Sequence, residues 1–202
     1  MSAKSLLKFK SNRALGQNIW PTRKITPKQK LILLKIKKKK PSNFGLQLRS
    51  KRFLSILYGN LSKSQMQKTF EEASKIQGKI GNNFISYLEK RLDTLIFRMN
   101  VCRTFRAGRQ LIIHQKVFVN NKLIDIPSYQ LSPGDIISIS SENSTNFLSV
   151  SSQFMQNLHA NSLCQTKSLH LEINYKSLTA IFLYPPQQLI YPSEFDIPVF
   201  RK

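Results

Sequence analysis

The chain has 202 residues and an apolar content of 41%, enough for one moderate domain or two small ones with a real core. Against 10 Asp and Glu it carries 32 Lys and Arg, a net charge of +22, so a polyanion is expected as its partner. The sequence shows no apolar run approaching the ~20 residues of a membrane span and no apolar core of a secretory signal; Cys102 and Cys164 stand too far apart for a zinc motif or a disulfide framework.

The charge is uneven. Residues 1–70 hold 18 Lys or Arg and no carboxylate, Glu71 being the first acid. Residues 1–43 read as a basic extended arm, with Pro21, Pro27, Pro41 and a four-lysine tract at 37–40. Residues 31–36 are expected to form a turn or two of helix. An acid-free segment of this charge cannot bury enough apolar area to fold alone, so it is expected to be disordered by itself and to order on its polyanion. The arm has no amphipathic stripe backed by aromatic anchors, which favours nucleic acid over a membrane surface.

Residues 44–90 read as a helical domain. Leu46, Phe53, Leu54 and Leu57 form one stripe, while Arg49, Lys51 and Arg52 face elsewhere. Tyr58-Gly59-Asn60 is a helix stop. Ser62 or Ser64 caps a following helix with the stripe Met66, Phe70 and Ala73, and Gly78 and Gly81 interrupt it. Phe84, Leu88, Leu92 and Leu95 keep one helical phase, which predicts a rigid helix shared with the next segment.

Residues 91–140 form the most legible stretch. Leu92, Leu95, Ile96 and Met99 mark one helix face, and Arg91 and Arg98, seven apart, share another. Thr104 caps a second short helix ending near His114, with Ala107, Leu111 and Ile112 inward and Arg103, Arg106, Arg109 and Gln110 outward. The period then changes to two. Val117 and Val119 alternate with Phe118, Asn120-Asn121 supplies the positive-φ pair of a tight hairpin, and residues 123–126 return. Ser132-Pro133-Gly134-Asp135 is a second turn, followed by a strand over Ile136–Ile139. Residues 141–168 read as a Ser/Asn-rich insertion, with a short helix around Phe154, Met155 and Leu158 as its one structured option. Within residues 169–202, His170 to Tyr175 alternate as a strand, Thr179 to Tyr184 form a second one stopped by Pro185-Pro186, and the hairpin and tail are expected to pack on the helical domain.

The run RLD…FRM…T…RQL…H…VFVNNKLIDIPSYQLSPGDIISI resembles the alpha-L RNA-binding module, in the version found in the small-subunit ribosomal protein four (S-four) family. The preceding PSNFGLQLRSKRFLSILYGN and the residues up to Asp93 resemble that family's upstream helical segment, so the likeness covers residues 41–140. Where the family commonly opens the second helix with Thr-Arg, this chain has Thr104-Phe105, its arginines moving to Arg103 and Arg106. Gly108 replaces another small residue, at a cost to the helix of about 1 kcal/mol relative to Ala. The cysteine-rich metal site that some members carry near the N-terminus has no counterpart here.

The expected fold class is α+β: a basic arm, a small helical domain, two helices on a short antiparallel sheet, and a C-terminal β segment. The RNA-binding candidates are Arg49, Arg52, Arg91, Arg98, Arg103, Arg106, Arg109, Gln110, His114, Lys116 and Lys122. Phe97, Phe105, Phe118 and Tyr129 read as core, with Phe105, at a polar position of the family, the one candidate for exposure. No Cys/His pair, phosphate loop or nucleophile elbow gives enzyme chemistry a place. Asp93, the acid embedded in the basic module, reads as structural, and neither cofactor nor metal is expected. The resemblance implies a constituent of the small ribosomal subunit, one copy in each. It implies binding to the five-prime domain of the rRNA early in assembly, neighbouring ribosomal proteins as partners, and a position where mRNA enters. An excess of Lys over Arg with abundant Phe, Ile and Asn points to an organellar ribosome, mitochondrial rather than plastid. The competing readings are an RNA-modifying enzyme and a stand-alone RNA-binding factor carrying the same module.

Overall fold

The computed structural model describes residues 8–16, 19, 26–37, 42–102, 104–140 and 169–186. The expectations for Arg103, the lysines at 38–40, the insertion at 141–168 and the tail beyond 186 lie outside the described residues. The chain divides into two compact units, one built on its first 66 residues and one running from Gln67 to Leu189.

In the first unit, α1 (Lys8–Leu15), α2 (Pro27–Lys37) and α3 (Asn43–Leu57) are helical. Two helices within 1–43 correct the expectation of an extended arm. Charge alone disfavours them, but Leu15 and Ile19 bury completely against Phe53 and Ile56 of α3, and that partner supplies the apolar area the arm lacks by itself. Helix α2 spans three turns rather than one or two. Pro27 occupies its first position, and Thr26 and Gln29 exchange side-chain to backbone hydrogen bonds of 3.4 and 3.3 Å. Ser42 caps α3 by accepting from the Gly45 amide at 3.2 Å. The helix stops as expected, with Gly59 and Asn60 at φ 72° and 65°. Leu46 departs from the expected stripe and is exposed, while Ile56 joins it. The reason is reach: α1 has eight residues, about 12 Å of helix, and covers only the end of the longer α3.

Helix α4 (Lys63–Ser74) starts at the boundary between the units; Ser62 and Gln65 close a reciprocal capping box, each bond 3.2 Å. The second unit continues with α5 (Ile80–Glu89), α6 (Leu92–Arg98) and α7 (Phe105–Ile113). Helices α5 and α6 are separate, which corrects the expected shared helix. Phe84, Leu88, Leu92 and Leu95 are all fully buried, so the apolar phase does run through. The backbone breaks because Arg91 adopts an extended conformation (φ −67°, ψ 138°) and pairs with Gln130. The amides of Leu92, Asp93 and Leu131 complete that seam by donating to Tyr129, Pro127 and Lys90 respectively.

One antiparallel sheet follows, in the order β2-β1-β3-β5-β4: β1 (Val117–Val119), β2 (Lys122–Leu123), β3 (Ile136–Ile139), β4 (Leu171–Asn174) and β5 (Thr179–Phe182). Asn120 and Asn121 take φ 49° and 62° in the hairpin turn. The Asn120 side-chain Nδ2 donates to Asp135 Oδ1 at 2.8 Å and its Oδ1 accepts from the Ile136 backbone amide at 3.0 Å, which ties the two expected turns together. The β4–β5 hairpin forms as expected but in another place. It pairs with β3 in the register Ile136 to Ile181, Ile137 to Ala180 and Ser138 to Thr179, and just beyond it the Pro186 carbonyl accepts from the Ser86 hydroxyl of the helical domain at 3.2 Å. Ala180, Phe182 and Leu171 then lie with Val117, Val119, Ile137 and Ile139 in the core under Leu92, Leu95, Ile96, Met99 and Ile112. A three-stranded sheet would leave that side of the core open.

Thr104 caps α7 by accepting from the Ala107 amide at 3.2 Å. Gly108 is buried against α6, where an added methyl would lie 3.5 Å from both the Asp93 carbonyl and Ile96 Cγ2, ordinary contact distances. Gly108→Ala should therefore raise stability by about 0.5–1 kcal/mol through helix propensity, read from urea unfolding midpoints. A loss of stability would mean that α6 and α7 are packed too tightly for a methyl.

Candidate nucleic-acid interface

The arginine row resolves into two populations. Arg91, at the N-cap position of α6, is 5% exposed and binds Asp93 with two parallel bonds of 3.0 Å. Arg109 reaches the same carboxylate from α7, with Nε 2.7 Å from Oδ2. Arg98, the last residue of α6, forms a bidentate pair of 3.0 and 2.7 Å with Glu89, a fully buried carboxylate at the end of α5. The expectation that spacing gathers Arg91, Arg98 and Arg109 on one exposed face is thus corrected. Arg91 is enclosed, and the other two side chains keep 24% and 22% of their surface. Taking a guanidinium out of water is costly, so those nearest the core meet the carboxylates. Glu89 escaped the sequence reading because the helix break at Arg91 sets its distance to Arg98, and a continuous-helix count misplaces it.

The outward population lies on α7 and the adjoining hairpin. Arg106, Gln110 and His114 follow at intervals of four and are exposed, beside an exposed Ile113; Lys122 is exposed on β2 and Lys116 half-buried before β1. In the first unit Arg49 is half-buried and Arg52 exposed. Phe105 is buried, not exposed. Its ring stacks on Phe97 with centroids 4.1 Å apart and planes at 24°, so the polar position is filled by an apolar contact across the two helices. Burial pushes the Cys102 thiol up to about 12, which keeps it protonated and unreactive. Among the described residues no group of three His, Cys, Asp or Glu can hold a metal ion, and no helix is long and apolar enough to cross a membrane.

Two expectations follow from the buried charges. Asp93→Ala strands Arg91 in the interior and should cost about 3–5 kcal/mol in equilibrium unfolding; a loss under 1 kcal/mol would show that Arg91 finds water without it. The second concerns His170, which is 3% exposed, edge-on to Phe182, and without a hydrogen-bond partner for Nε2 among the described residues. Burial lowers its pKa from 6.5, with Glu89 opposing and Arg98 reinforcing the shift. As pH falls the unfolded chain takes up the proton first, so stability should decline through about pH 6.5 and below. His170→Phe should remove that part of the difference between unfolding midpoints at about pH 7.5 and pH 5.5; an unchanged difference would assign it elsewhere.

Comparison with known proteins matches residues 90–137 to the S4 domain and residues 4–89 to the Ribosomal protein S4/S9 N-terminal domain. The two matches meet where α5 ends, and the N-terminal one takes in the residues expected to form an arm. The chain is 40% identical over 194 residues to Small ribosomal subunit protein uS4m of Marchantia polymorpha, covering 94% of this chain and 96% of that protein. It is 34% identical to Small ribosomal subunit protein uS4 of Caulobacter vibrioides, covering 97% and 95%. The corresponding Rickettsia typhi protein is 35% identical, with 95% and 92% covered. These relatives are ribosomal proteins rather than enzymes.

Proposed function

Since this chain belongs to the small ribosomal subunit protein uS4 family, we propose that it is a structural constituent of a small ribosomal subunit, binding its rRNA and neighbouring subunit proteins and catalysing nothing. The observation that carries this reading is the similarity to uS4m over nearly the whole of both chains, so that both units take part and not the S4 domain alone. A net charge of +22 with an acid-free first third supports rRNA phosphate as the main contact. The family resemblance supports the five-prime domain of that rRNA, a role in nucleating assembly, and a position where mRNA enters. The likeness to uS4m, together with the Lys-, Ile- and Asn-rich composition, supports a mitochondrial ribosome. One copy in each purified small subunit is the expected stoichiometry.

On this reading Arg106, Gln110, His114, Lys116 and Lys122 meet the RNA, while the inward arginines shape the surface that carries them. Folded RNA is read largely by shape, and a row of cations on a short rigid helix suits its grooves and phosphates. Replacing Arg106, Lys116 and Lys122 together by Gln should weaken binding to a small-subunit rRNA fragment and flatten the logarithmic salt dependence by roughly 0.7–0.9 for each phosphate that is no longer neutralised. Wild-type affinity and slope in that variant would defeat the assignment of this face.

A further inference from the structure

We propose that a cleft between α1 and α3 is a single-nucleotide subsite for RNA, in which Arg13 and Arg52 grip the phosphate and Ser55 and Asn60 offer polar groups to the ribose or base; this rests on the ribosomal reading above. The cleft has a volume of about 310 Å³ and is lined by Ser11, Arg13 and Ala14 from α1, Arg52, Ser55 and Ile56 from α3, and Asn60 from the turn that follows.

Its charge is the first argument. Arg13 and Arg52 line one concavity from different helices, and the sequence on either side of them, residues 1–70, contains no carboxylate. Like charges brought to one cleft repel, and an anion between them relieves the repulsion. Two cations at one rim also raise the local concentration of anions, an effect that salt screens. Guanidinium forks match phosphate oxygens in bidentate fashion.

Shape is the second. A volume of 310 Å³ equals that of about ten water molecules. It stands at the lower end of the range for small-molecule pockets and exceeds what one phosphate group fills. The remaining lining is mixed: the Ile56 and Ala14 side chains are apolar, and the Ser55 hydroxyl, which already donates to the Leu61 carbonyl at 2.6 Å, can only accept from a ligand. An apolar wall with a few polar groups suits a splayed-out nucleotide, the form in which RNA exposes its base edges. The walls are fixed, because Leu15 and Ile19 anchor α1 to Phe53 and Ile56 while Arg13, Ala14 and Arg52 stay exposed at the rim. The site was hidden in the sequence because Arg13 and Arg52 are 39 positions apart and only the α1–α3 packing joins them.

The test uses the full chain and a small-subunit rRNA fragment over a salt series. The Arg13→Gln/Arg52→Gln double variant should bind roughly tenfold or more weakly with a shallower salt slope. Arg13→Lys/Arg52→Lys should keep the slope and recover only part of the affinity, since an ammonium lacks the fork. Ala14→Leu keeps every charge but fills the cleft, and should also weaken binding roughly tenfold if the nucleotide enters. All three side chains are exposed, so thermal midpoints should stay at the wild-type value. Wild-type affinity in Ala14→Leu, or in the double Gln variant, overturns the subsite while leaving the ribosomal reading intact. Failure of the wild-type chain to bind the fragment overturns both. Adenosine 5′-monophosphate is the control for a free-nucleotide site; if it binds in the micromolar range and Ala14→Leu abolishes that binding without touching rRNA affinity, the proposal is also wrong.

Discussion

One buried carboxylate, Asp93, is the point on which the second unit depends. It lies in the first turn of α6, accepts from Arg91 in the break before that helix and from Arg109 of α7, and its own amide donates to Pro127 beyond the β1–β2 hairpin. Three otherwise separate pieces of chain are therefore oriented by one side chain and its backbone. Such a cluster is a weak source of net stability, because desolvation offsets much of the attraction, yet it tolerates very few alternative arrangements. The Glu89 and Arg98 pair does the same between α5 and α6. Apolar packing drives the collapse, and the ion pairs fix the angle at which the helices leave the sheet.

This use of charge changes the meaning of the composition. The chain carries 10 carboxylates, and two of them, Glu89 and Asp93, are committed to the interior among basic residues. Arginines that periodicity would assign to a binding face instead hold the scaffold. The cations that remain outward are then presented from elements whose orientation is already set, so the RNA need not organise them. Preorganisation of this kind lowers the ordering cost of association.

Signals confined to a few neighbouring residues were legible in the sequence. The asparagine pair of the hairpin, the Ser-Pro-Gly-Asp turn, the Thr104 cap and the Tyr58-Gly59-Asn60 stop all act through local backbone geometry, and each stands where it was expected. What needed a distant partner was not legible. The break at Arg91 depends on Gln130, and the helicity of α1 on Phe53. The burial of Phe105 depends on Phe97, and the site of the β4–β5 hairpin on the free edge of β3. Alternation along a strand tells which face is apolar but not which edge receives it. The exposed candidates on α7 were found by spacing, whereas Arg91 was misread because a residue just outside a helix shares its period without sharing its surface.

The sheet order has one more consequence. Strand β5 lies between β3 and β4 and is antiparallel to both, so β3 and β4 run in the same direction, two strand spacings or about 10 Å apart. Each residue from Thr179 to Ile181 in β5 therefore has a partner on both sides, Ser138, Ile137 and Ile136 in β3 and Asn174, Ile173 and Glu172 in β4. A slip of one residue against β3 would carry both strands with it and turn Phe182 out of the core.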